Sequence, residues 1–77
     1  MTETDFQLDL RGVACPMNFV KTKLFMDKMQ PGQTVMVLLD PGEPVESVSS
    51  SVGAEGHEIL SSIAEPSGHF SVAIRKV

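Results

Sequence analysis

The chain has 77 residues and a mass of 8.3 kDa, enough for one domain and too little for a large enzyme with its own cofactor cradle. Six Lys and Arg against ten Asp and Glu give a net charge of −4. With no basic run, no Trp and no Tyr, the chain lacks both the phosphate-tracking face and the stacking platform of a nucleic-acid binder. A single cysteine excludes an internal disulfide, and the acidic start Thr2-Glu3-Thr4-Asp5, with no long apolar stretch after it, gives neither a signal peptide nor a membrane span. The expectation is a monomeric cytoplasmic domain over residues 1–77, of which 1–5 form a disordered tail.

Phe6-Gln7-Leu8-Asp9-Leu10 alternates apolar and polar residues and predicts a short half-buried strand, broken by Gly12. Pro16 suits the first position of a helix, where its missing N–H costs nothing. A helix is expected from about Pro16 to Met29, with Val20, Leu24, Phe19 and Met26 close to one inner face and Lys21, Lys23 and Lys28 outward. Pro31-Gly32 ends it. The nearly continuous apolar run Thr34-Val35-Met36-Val37-Leu38-Leu39 predicts a central strand. Asp40-Pro41-Gly42-Glu43-Pro44 predicts a turn that opens a second helix. Val45, Val48 and Val52 give that helix one narrow apolar face, and Gly56 stops it. Its many serines make it weak on propensity, so packing must hold it.

His57 to Ala64 and His69 to Val77 read as strands joined by the turn Glu65-Pro66-Ser67-Gly68, with His69 opposite Ala64 and His57 opposite Lys76. The order βαβαββ predicts an α/β (α+β) two-layer sandwich, a four-stranded mixed sheet with both helices on one face and a right-handed first crossover. Met26, Met29 and Met36 are expected in the core.

The chemistry is expected in Asp9-Leu10-Arg11-Gly12-Val13-Ala14-Cys15-Pro16. With Pro16 as first helical residue, Cys15 is the N-cap and its sulfur faces the free N–H groups of the first turn. Such positions lower a thiol pKa from about 8.5 to roughly 3.5–7.5, and the thiolate is the nucleophile. The competing expectation is a small buried hydrophobe without chemistry. A Cys–His hydrolase needs a base beside its nucleophile. The only histidines, His57 and His69, are expected at opposite ends of the hairpin, about 20 Å apart, so they share neither a metal nor a site. No second cysteine supports a dithiol redox cycle. Thiol exchange between proteins remains, which needs a thiolate and access but no cofactor and no metal.

These residues resemble the TusA/SirA-like family of small sulfur-carrier proteins. The family pattern is a strand, an Asp, a Gly, and a Cys-Pro-x-Pro motif opening the first helix, matched here by Asp9, Gly12, Cys15 and Pro16. The Met29-Gln30-Pro31-Gly32 break, the Asp40-Pro41 turn and the closing Ile74-Arg75-Lys76 are similar too. The motif departs at its last position, giving Cys15-Pro16-Met17-Asn18.

The resemblance implies a βαβαββ sandwich. It also implies that Cys15 carries a persulfide, received from a cysteine desulfurase or a rhodanese-like donor and passed to an acceptor protein. Around Cys15 the expected supports are Pro16, Met17, Asn18, Arg11, Gly12 and Asp9. Asn18 restores a backbone N–H near the sulfur, Arg11 adds positive charge, and Asp9 and Asp40 organise the loop through backbone N–H groups. Met17 is either core or an exposed contact, and Lys21 and Lys23 are either a docking surface beside the thiol or plain helix surface. The alternative is a non-catalytic interaction or regulatory module in which Cys15 is only a cap. Its RNA-binding subtype, suggested by similar domains in a translation initiation factor, is disfavoured by the acidic charge.

Overall fold

A computed structural model describes residues 4–14 and 17–77; residues 1–3, Cys15 and Pro16 lie outside the described residues. Six elements follow in order: β1 (Phe6–Asp9), α1 (Met17–Asp27), β2 (Thr34–Leu39), α2 (Glu43–Ala54), β3 (Glu58–Ala64) and β4 (Phe70–Arg75). They build one four-stranded sheet of order β1-β2-β4-β3. β1 runs parallel to β2, whereas β4 is antiparallel to both β2 and β3. A parallel pair cannot be joined by a tight turn, and α1 provides the crossover.

The apolar run of β2 is central, as expected, but one of its faces is sealed much more fully than the other. Val35, Val37 and Leu39 are buried, and across the ladder Ile74, Val72 and Phe70 continue the same face. Val45, Val48 and Val52 of α2 and Met26 of α1 close over it, with Leu10 and Met29 completing the core. Each such side chain contributes about 1.5–3 kcal/mol on burial. Met36, expected in the core, lies instead on the open face beside Gln7 and Ala73 and is only half-buried. The period-2 alternation of a strand decides this, since Val35 and Val37 already claim the inner side.

α1 keeps Met26 and Phe19 of its expected inner face but not Val20 and Leu24. Asn18, Thr22 and Met26, spaced i, i+4 and i+8, are its buried residues, with Phe19 and Phe25 partly buried beside them. Val20 and Leu24, expected inside, are 37% and 57% exposed. The helix has apolar residues all round, so hydropathy alone does not choose a face. On the side that goes inward, Thr22 Oγ1 donates to the Asn18 carbonyl at 2.8 Å and Asn18 Oδ1 accepts the Phe19 N–H. Phe25 meets Phe6 of β1 edge to face at a centroid distance of 5.6 Å, which fixes the helix against the sheet edge.

α2 matches its expected face and its expected stop. Its first turn carries Glu43 and Glu46, which suit the positive end of the helix dipole. At its other end His57 N–H donates to the Val52 carbonyl and Gly56 N–H to that of Gly53. This double bond pattern needs a left-handed residue, and Gly56 has φ of +91°. The hairpin register is expected up to one irregularity. Glu58 faces Arg75 and Ile59 faces Ile74, but beyond a shift between Ile59 and Ser61 the partners move by one, so Ala64 faces Phe70. His69 therefore sits opposite Glu65, whose N–H donates to the His69 carbonyl at 2.8 Å. Asp5, placed by the sequence in a tail, is held to β2: Thr34 N–H donates to Asp5 Oδ2 at 2.9 Å and Asp5 N–H to Thr34 Oγ1 at 3.1 Å.

Candidate functional site

The loop between β1 and α1 is braced by two carboxylates. Asp9 ends β1 and accepts three bonds from Arg11: from its backbone N–H at 3.1 Å and its Nε at 3.0 Å, both on Oδ1, and from Nη2 at 2.8 Å on Oδ2. Asp40, just past β2, accepts the Gly12 N–H at 2.8 Å. Gly12 has φ of +81°, a conformation that side chains adopt only with strain. Leu10, buried, and the Val13 N–H bond to the Leu10 carbonyl at 3.1 Å anchor the loop from below. Both carboxylates thus organise the loop, and the Arg11 guanidinium is turned onto Asp9.

The Arg11 hydrogen bonds, first those of the side chain and then that of the backbone, hold the Asp9 carboxyl at about 2, against an ordinary 3.8. The lowered value means that the brace is complete above the ordinary value and is lost as pH falls through about 2. An NMR titration should place the Asp9 carboxyl near 2, and Arg11→Ala should return it toward 3.8. An unchanged midpoint in Arg11→Ala would dissociate the two residues. Both partners are exposed, so the pair shapes the loop more than it stabilises the fold.

α1 begins where this loop ends. Its i→i−4 bonding reaches back to Ala14, whose carbonyl accepts the Asn18 N–H at 3.2 Å. The backbone N–H expected near the sulfur is therefore spent inside the helix. Cys15 and Pro16, the expected nucleophile and first helical residue, lie outside the described residues. No acidic residue occupies the first turn of α1, in contrast to the two glutamates of α2.

Asn18 is fully buried. Its Oδ1 accepts the Phe19 N–H at 2.6 Å, whereas its Nδ2 has no acceptor among the described residues. An orphaned buried donor costs about 1–3 kcal/mol.

Beyond Ala14 the outward face of α1 presents Met17, Val20 and Leu24 at i, i+3 and i+7, 49%, 37% and 57% exposed. Met17 is thus exposed and not core. Lys21 flanks the stripe with no ion-pair partner among the described residues, while Lys23 reaches Glu55 at 3.4 Å. His69, read as a strand-end residue, lies at the same end of the sheet as Asp9 and Asp40 and is bonded through Nδ1 to Ser67 Oγ. Its field adds slightly to the Asp9 shift. No local pattern signals that proximity, because it follows from the β2–β4 pairing. His57 sits at the other end, where its Nδ1 accepts the Val77 N–H at 3.3 Å.

Comparison with known proteins agrees with this geometry. A family model described as Sulfurtransferase TusA matches residues 6–76. A protein of Archaeoglobus fulgidus assigned as a sulfur carrier is 38% identical over 74 residues, covering 96% of this chain and 84% of that protein. The sulfur carrier protein TusA of Allochromatium vinosum is 31% identical over 77 residues, 99% of each chain. The crystal structure of a SirA-like protein from Desulfitobacterium hafniense shares the fold, with a TM-score of 0.80 at 20% identity over 91% of this chain and 95% of that one. Loop, helix start and sheet order all lie within the matched segment, and the chain belongs to the TusA family.

Proposed function

We propose that this protein is a sulfur carrier that accepts a sulfane sulfur on Cys15 and hands it to a partner protein. The observation that carries the reading is the family match, which spans residues 6–76 and so includes the single cysteine. The Cys15 thiolate attacks the outer sulfur of a donor persulfide. The donor's S–S bond breaks, its inner sulfur leaves as a thiolate, and a new S–S bond forms at Cys15. Delivery repeats the exchange, with the acceptor's thiolate attacking the outer sulfur and Cys15 leaving. The sulfur keeps its oxidation level throughout, so the cycle needs no cofactor and no metal.

Two features support it. The positive end of α1 meets no carboxylate in its first turn, which leaves that end for the anionic sulfur. Arg11 is committed to Asp9, so the helix end and not Arg11 is the stabilising charge. The donor, a cysteine desulfurase or rhodanese-like protein, docks on the outward face of α1, where Met17, Val20 and Leu24 supply apolar contact and Lys21 a positive rim for acidic residues of the partner. A lone free thiol suits a reducing compartment, and the proposal places the carrier in the cytoplasm. No helix of the described residues is long and apolar enough to cross a membrane.

Incubation with a cysteine desulfurase and L-cysteine should add one sulfur atom to the intact mass, removed by reductant and absent in Cys15→Ser. No gain with that donor or with a rhodanese-like one would refute the carrier reading and leave an interaction module.

A further inference from the structure

The two edges of the sheet are protected unequally. β1 has four residues and is framed by carboxylates, Asp5 bonded to Thr34 at its start and Asp9 bonded to Arg11 at its end. β3, the opposite edge, has seven residues, of which all but Ser61 are exposed. Among the described residues it pairs with β4 alone, so the backbone groups along its outer side have no strand beside them. Neither a charge nor a proline stands between Glu58 and Glu65, and Ile59, Leu60 and Ile63 present apolar side chains there. The bulge at Leu60 blunts the start of the strand and leaves residues 61–64 in regular register. Such an edge is a template for one more strand.

Charge selects the occupant. β2 and β3 end at the same pole, in the row of Leu39, Phe70 and Ala64. Glu65 stands just past that row, and Glu43 and Glu46 open α2 after β2. None of these three is in an ion pair among the described residues, whereas Glu58 at the start of β3 is held by Arg75. A second copy paired antiparallel would lay the end of each strand beside the start of the other, Glu65 near Glu58, with −4 on each molecule. A basic segment meets no such repulsion.

We propose that β3 takes up an extended apolar segment of a partner protein as a fifth strand, with a lysine or arginine of that segment at the Glu65 pole. α1 is pinned to the far edge by Phe25 against Phe6, so the β3 surface lies apart from the outward stripe of α1. The proposal does not rest on the carrier reading. A partner held on β3 leaves α1 open to another.

The probe is a synthetic peptide of alternating valine and threonine that ends in lysines, titrated into isotope-labelled protein. Amide resonances of β3 should shift and their hydrogen exchange should slow, while those of β1 stay unchanged. Glutamates in place of the peptide lysines should weaken binding at least about tenfold. A peptide with prolines in place of the threonines cannot pair through its backbone and should not bind. Ile63→Lys, at a position 52% exposed, keeps the fold and should weaken the lysine peptide about tenfold. An unmoved β3, or equal binding of the lysine peptide and either of the other two, would overturn the proposal. So would a dimer in sedimentation whose formation protects the β3 amides, because the occupant is then a second copy.

Discussion

Met26→Ala is expected to unfold most of this domain, and Leu24→Ala, two residues earlier on the same helix, to leave it folded. Met26 is 1% exposed and sits in the core cluster with Val35, Val37 and Val48. Truncating such a methionine costs about 2–5 kcal/mol. A single core in a chain this short supplies about 3–5 kcal/mol in all. The loss is therefore of the size of the whole stability. Leu24 is 57% exposed, and its truncation falls within about 0.5 kcal/mol. Urea unfolding followed by circular dichroism distinguishes the two. A Met26→Ala midpoint within error of the native one would mean that α1 is seated on a different face.

The second large effect concerns the same outward stripe. Leu24→Glu places a carboxylate in the middle of the face bordered by Met17 and Val20 and cancels the Lys21 charge beside it. Sulfur transfer from a protein donor should fall at least about tenfold, the cost of one central interface contact. Loading from inorganic polysulfide, which needs no docking, should stay within twofold, an estimate of about 0.4 kcal/mol. The control matters because it separates a lost surface from a damaged thiol. Transfer from the protein donor that survives Leu24→Glu would move the docking surface off α1.

Where one pattern stood alone, the sequence was enough. Val45, Val48 and Val52 have no apolar rival on α2, and all three are buried. The run from Thr34 to Leu39 is apolar at nearly every position and became the central strand with β1 parallel and β4 antiparallel beside it. The brace of Asp9 and Asp40 was legible as well, because short carboxylates beside glycines have few other uses.

Where two patterns competed, tertiary packing decided. α1 carries apolar residues on opposite sides, and the side with Asn18 and Thr22 went inward. Hydropathy ranks those two residues as surface; local bonds to the helix backbone satisfy the Thr22 hydroxyl and Asn18 Oδ1, while Asn18 Nδ2 is left without an acceptor among the described residues. The hairpin shift at Leu60 and the placement of His69 beside the loop carboxylates depend on pairings between distant strands, which no local window contains.

The anchoring of Asp5 and Lys76 has a consequence for architecture at larger scale. Asp5 is bonded to Thr34, and the Lys76 N–H donates to the neighbouring Gln33 carbonyl at 2.9 Å. The chain therefore enters and leaves at one pole of β2, while the loop braced by Asp40 occupies the other. A domain fused before Asp5, after Lys76, or at both positions at once hangs from the far side of the sheet. In a fused polypeptide this fold is a plug-in unit with its attachment points together and the loop braced by Asp9 and Asp40 facing away.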